Sequence, residues 1–161
     1  MSETPLGAVV VGTGFGLFTP VRALRDAGFA VRAIVGRDLE KTRTRAAPLG
    51  IPLAANDLAQ VLADDPAIRL VTVATPPHAH YAPVMQAIAA GRAVMCEKPF
   101  ARDLAQAREM LTAAEAAGVV HALGAEFRFD SAQALLTRMV QSGAIGEPLM
   151  FHRIYQQPGG D

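Results

Sequence analysis

The stretch Ala8-Val9-Val10-Val11-Gly12-Thr13-Gly14-Phe15-Gly16 decides the fold. Four apolar, mostly β-branched residues closed by a glycine read as a short buried strand. From Leu17 through Val21 and Leu24 the apolar residues return at helical spacing, and Gly28 supplies a stop. Strand, glycine turn and helix is the context in which such glycines hold a pyrophosphate. The backbone can pass close to the phosphates, and the helix N-terminus offers free N–H groups and a partial positive charge. Gly12, Gly14, Phe15 and Gly16 are therefore the first candidate binding residues. The third glycine arrives at Gly16, whereas G-x-G-x-x-G spacing would put it at 17, which is Leu17. A tight strand-to-helix turn without a ligand is the alternative.

Outward from this stretch, the chain keeps alternating. Val31 to Val35 is a second strand ending in Gly36-Arg37-Asp38, and Asp38 can cap a helix running through Leu39, Thr42 and Ala46 toward Pro48. Ile51 to Ala54 is a brief strand, and Asn56 or Asp57 can cap the helix carrying Leu58, Val61 and Leu62. Leu70 to Ala74 is a fourth strand closed by Thr75-Pro76-Pro77. A helix follows from His80 to Gly91 with Tyr81, Val84, Met85 and Ile88 inward. Ala93 to Cys96 is a fifth strand leading into Glu97-Lys98-Pro99. Asp103 with Gln106 starts a helix whose stripe is Leu104, Ala107, Leu111 and Ala114, and Val119 to Ala122 begins a sixth strand. This pitch predicts parallel βαβ units in a doubly wound α/β sheet covered on both faces. After about Glu126 the pattern changes to a helix over Ser131 to Gln141 and a strand-like stretch from Pro148 to Tyr155.

Composition narrows the partners. The 161 residues are 51% hydrophobic, with 15 basic and 15 acidic side chains, so no net charge argues for nucleic acid or an anionic membrane surface. The single cysteine, Cys96, cannot form an internal disulfide, which favours a reducing, cytoplasmic setting. No apolar run approaches membrane-spanning length. Lysine occurs only at Lys41 and Lys98, which singles out Lys98 beside its turn.

Four features in order carry a resemblance. They are Val11-Gly12-Thr13-Gly14-Phe15-Gly16; Thr75-Pro76-Pro77-His78-Ala79-His80; Ala90 through Glu97-Lys98-Pro99; and Phe127-Arg128-Phe129 followed by Gly143-Ala144-Ile145-Gly146-Glu147-Pro148. Together they resemble the Gfo/Idh/MocA family of glucose–fructose oxidoreductases, inositol dehydrogenases and rhizopine-catabolism proteins. The resemblance implies a Rossmann domain over 1–126 and, over 127–161, only the start of the family's second α+β domain. It implies hydride transfer between a nicotinamide dinucleotide and a sugar, polyol or related carbonyl compound. In that scheme Lys98 stands near nicotinamide and substrate and handles a proton, Glu97 holds Lys98, and Pro99 follows a cis bond. Thr75 and Pro76 match the turn lining the nicotinamide ribose. His80 matches the family histidine, with a plain helix cap as the other reading. Arg128 matches the family arginine past the sixth strand, with a plain surface arginine as the other reading.

The resemblance also bears on the choice of cofactor. An acid at the end of the second strand would hold the ribose 2′-hydroxyl of NAD, and here that position is Gly36 followed by Arg37. A small residue and an arginine suit a 2′-phosphate, which points to NADP; NAD remains the alternative, with Asp38 reaching the ribose. The second domain's catalytic residues are not visible, so the expected form is a truncated oxidoreductase that keeps its cofactor site. A non-catalytic nucleotide-binding sensor is the runner-up, and a structural remnant the third reading. The strand-like end would have unpaired edges and seek a partner chain, giving a homodimer, or else be a disordered tail.

Overall fold

The computed structural model describes residues 4–154, and Phe15 and Gly16 by their backbone only. The chain divides into two compact units, Met1–Gly124 and Ala125–Asp161, which are taken in turn.

The first unit is a six-stranded parallel sheet in the order β3-β2-β1-β4-β5-β6. Its strands are β1 (Gly7–Val11), β2 (Ala30–Val35), β3 (Leu53–Ala55), β4 (Ile68–Val73), β5 (Ala93–Glu97) and β6 (His121–Gly124). The helices between them are α1 (Phe15–Asp26), α2 (Leu39–Ala46), α3 (Leu58–Asp64), α4 (Tyr81–Ala89) and α5 (Leu104–Ala116). Side chains alternate across a strand, so each strand feeds two cores. Val9 and Val11 of β1 pack with Val61, Val84, Ile88 and Met110 from α3, α4 and α5. Ala8 and Val10 pack on the other face with Leu17, Val21 and Leu24 of α1. The expected doubly wound α/β sheet is thus the observed one.

Asp38, Asp57 and Asp103 cap α2, α3 and α5, each carboxylate accepting from the N–H three residues on. Between Asn56 and Asp57, the cap is Asp57. Sequence expectations shift at several elements, the fourth strand among them, which runs Ile68–Val73 and not Leu70 to Ala74. The third strand is Leu53–Ala55 and the sixth His121–Gly124, each displaced toward the C-terminus by one or two residues. The α5 stripe is also rotated, with Met110 and Ala114 buried while Leu104 is 63% and Leu111 44% exposed. Helical spacing alone does not say which of two adjacent apolar stripes meets the sheet.

In the second unit a 3-10 turn (Glu126–Phe129) leads to α6 (Ser131–Gln141), capped by Asp130. None of its described residues is buried. The stretch from Pro148 to Ile154 forms no strand, and Tyr155 lies outside the described residues. A strand needs a neighbouring strand for its N–H and C=O groups, and among the described residues no ladder pairing includes this segment.

Candidate functional site

The order of strands reverses between β1 and β4, and open parallel sheets bind ligands at that switch, beyond the C-terminal strand ends. A cleft of about 1100 Å³ lies there, between the ends of β1, β2 and β4. It exceeds the roughly 300–1,000 Å³ of pockets for drug-sized ligands. Its lining includes the expected Gly12, Gly14, Gly36, Arg37, Thr75 and Pro76.

The two leading glycines are there for different reasons. Gly12 has φ +124°, and a Cβ on it would stand 2.5 Å from the Ala74 carbonyl oxygen and 3.2 Å from Thr75 N. Its N–H donates to the Val35 carbonyl at 2.8 Å, and Ala74 N–H donates to the Val11 carbonyl at 2.8 Å. Gly12 is therefore required by the close approach of two strand ends, before any ligand is considered. Gly14, by contrast, is exposed, and nothing lies within 4 Å of the position its Cβ would take. It forms the N-cap of α1 with no side-chain cap, and Phe15 and Gly16 follow in the first turn of the helix. An open glycine at a helix N-terminus is the place where a phosphate can approach the main chain.

Gly36 is closed. A Cβ there would run into Thr42 Oγ1 and come within 2.5 Å of Thr13 Cγ2. Thr42 is fully buried, its hydroxyl donating to the Asp38 carbonyl at 2.5 Å. No acid fits at Gly36 without displacing one of these short, stiff side chains. Asp38 is spent on its cap, accepting from Lys41 N–H at 3.1 Å, and is not among the residues lining the cleft.

Sequence reasoning missed Lys41 and Arg45, which join Arg37 in the lining. The signal was present, since positions 37, 41 and 45 are four apart and 41 and 45 share a face of α2. Among the described residues none of the three cations has a carboxylate within ion-pairing distance, whereas Arg43 on the same helix pairs with Glu40 at 2.6 Å. Like charges at that spacing repel. An anion would relieve them.

On the far side, Thr75 and Pro76 continue from β4 into a 3-10 turn (Pro77–Ala79), with Thr75 Oγ1 donating to the Ala79 carbonyl at 3.1 Å. His80 does not cap α4 with its side chain, nor does it line the cleft. Its ring is 1% exposed and lies between two main-chain oxygens, Thr75 O at 2.7 Å from Nε2 and Phe100 O at 3.2 Å from Nδ1. A neutral imidazole has one N–H, so which of the two oxygens it donates to depends on the tautomer. The ring thereby stands between the turn after β4 and the segment after β5, packed against both and donating to one.

That segment carries Glu97 and Lys98. Glu97 ends β5, half-buried, with its carboxyl carbon 2.9 Å from where a Cβ on Gly124 would stand, so Gly124 makes room for it. Lys98 is exposed, and the Lys98–Pro99 peptide is cis. Neither Glu97 nor Lys98 is among the lining residues of the cleft. Cys96 is buried; desolvation, and then the Glu97 charge, push its thiol up to about 12, which removes it as a nucleophile. No group of three or more His, Cys, Asp or Glu among the described residues could hold a metal ion. No described helix is long and apolar enough to cross a membrane.

Comparison with known proteins agrees with this geometry. Residues 6–125 match the GFO_IDH_MocA family, described as an oxidoreductase family with an NAD-binding Rossmann fold. The chain is 33% identical over 141 residues to 1,5-anhydro-D-fructose reductase of Ensifer adhaerens, covering 86% of this chain and 42% of that one. It is 37% identical over 94 residues to levoglucosan dehydrogenase of Pseudarthrobacter phenanthrenivorans, covering 58% of this chain and 24% of the relative. Among solved structures, an Agrobacterium radiobacter oxidoreductase in complex with NAD+, L-tartaric acid and magnesium superposes with a TM-score of 0.83 at 31% identity. The match covers 90% of this chain and 42% of that structure. The chain thus spans well under half the length of these relatives. With its strand order, its glycine turn and a family match over 120 residues, the chain belongs to the Gfo/Idh/MocA oxidoreductases, through their NAD-binding Rossmann domain.

Proposed function

We propose that this chain is the dinucleotide-binding part of an oxidoreductase that moves hydride between a nicotinamide and a sugar, polyol or related carbonyl compound, with NADP as the preferred cofactor. The cleft at the strand switch carries the reading. It joins an open helix N-terminus at Gly14 to three cations, Arg37 just past β2 and Lys41 and Arg45 on α2. The residues present fit such a cofactor: Gly12, Gly14 and the start of α1 would hold the pyrophosphate, and Thr75 and Pro76 the nicotinamide ribose. Arg37 and Lys41, beside a Gly36 that leaves no room for an acid, would hold a 2′-phosphate. When bound, the nicotinamide supplies the hydride chemistry. Lys98 would take or give the proton at the substrate oxygen, with Glu97 positioning it. Residues 127–161 would open the second domain, whose sheet would wall the substrate and pair two copies of the protein. The lone buried Cys96 suits the cytoplasm.

Titration with NADPH and NADH, read by nicotinamide fluorescence, tests this. NADPH should bind more tightly, and Gly14→Val should abolish binding of both while leaving the fold intact, since the Gly14 surroundings are open. Preference for NADH would overturn the NADP assignment. Failure of both to bind would leave the fold without its function.

A further inference from the structure

Arg45 lies in the last turn of α2, a full element away from the glycine turn in sequence, and its guanidinium donates to the Thr13 carbonyl. Thr13 is also held from a second direction, its methyl against Gly36. We propose that Arg45 is a positioning residue for the phosphate-binding turn, which rests on the dinucleotide reading given above. In a trans peptide the C=O and the next N–H point in opposite directions. A hydrogen bond on Thr13 O therefore fixes the plane of the Thr13–Gly14 peptide and aims Gly14 N–H away from α2. That N–H belongs to the residue with open space around it, at the N-terminus of α1.

Arginine suits this task, because its rigid fork has five donors, so one can hold a carbonyl while the rest face the cleft that Arg45 lines. The cost of the arrangement is visible in the sequence. Lys41 stands four residues before Arg45 on the same helix face, with no acid paired to either among the described residues, a repulsion that a merely structural clip would not need. The work then divides by distance from the turn. Arg45 acts on the element common to both dinucleotides, whereas Arg37 and Lys41 flank the position where the two dinucleotides differ.

The test is fluorescence titration of the full chain with NADH and NADPH, using wild type, Arg45→Met, Arg45→Lys and Arg37→Met. Arg45→Met should weaken both nucleotides by about tenfold, the loss of one charge-assisted hydrogen bond, with their ratio unchanged. Arg45→Lys should recover most of that loss, and Arg37→Met should shift the ratio against NADPH. The thermal midpoint of the free protein should stay the same in Arg45→Met. Unchanged binding in Arg45→Met overturns the inference, as does a loss confined to NADPH, which would make Arg45 a 2′-phosphate ligand. A lowered midpoint that accounts for the loss overturns it too. If wild type binds neither nucleotide, the dinucleotide reading itself fails; if wild type binds and Arg45→Met binds equally well, only the role of Arg45 fails.

Discussion

On the β1–β2 side of the cleft, shape is kept by glycines at close approaches: Gly12 lies on the Ala74 main chain, and Gly36 is wedged between the side chains of Thr13 and Thr42. On the β4–β5 side it is kept by one buried side chain, His80, set between the carbonyls of Thr75 and Phe100. The difference teaches how each side can fail. At Gly12 and Gly36 the first side tolerates no added atom, while at His80 the second tolerates no lost one.

The largest effect should come from adding atoms at Gly12. Gly12→Val forces a β-branched residue into φ +124° and onto the Ala74 carbonyl. Strain and overpacking together should cost about 4 kcal/mol in urea unfolding, with nucleotide binding lost as well. A cost below 1 kcal/mol would show that the strand ends can part, and the contrast between the two sides would collapse. On the other side, His80→Ala leaves a cavity and a part-buried carbonyl without its donor, and should cost about 3 kcal/mol. It should also raise amide exchange around Thr75 and Phe100 before it does so in β1. Uniform loosening of the sheet would instead mean that His80 is ordinary core.

Gly36→Asp sharpens the comparison, since it is the exchange that a strand-end rule would recommend for turning NADP preference into NAD preference. Here the new side chain meets Thr42 and Thr13, so about 2 kcal/mol of stability should go without a gain in NADH affinity. Tighter NADH binding would show that the wedge yields. The smallest effect is a gain. Thr72, on β4 and 1% exposed, has a buried hydroxyl with no hydrogen-bond partner among the described residues. Thr72→Val should stabilise the protein by about 1 kcal/mol and leave nucleotide affinity unchanged, because it touches neither side of the cleft.

Much of the first unit was legible because its strands are short β-branched runs punctuated by glycine, and because Asp38, Asp57 and Asp103 announce their helices. α6 was read at its observed bounds, and the structure adds its cap, Asp130. The stretch after Pro148 was misread, since apolar residues such as Leu149, Met150 and Phe151 suggest a strand only if something pairs with it. At the site, the glycines of the first turn could be named from local pattern, whereas Arg37 and the Thr75-Pro76 turn were named through the family resemblance. The inward turn of His80 could not, as its partners are carbonyls 5 and 20 residues away and carry no side-chain signature. Arg45 escaped for a related reason, its acceptor being the carbonyl of Thr13, 32 residues earlier.

That His80 binds oxygens common to every amino acid has a consequence for how the protein can vary. Positions 75 and 100 can change identity without removing the oxygens the ring faces, so the constraint is written at one address only. A saturation scan selected for folding should therefore show position 80 nearly fixed beside a permissive position 100. No compensating partner substitution should ever rescue a change at His80.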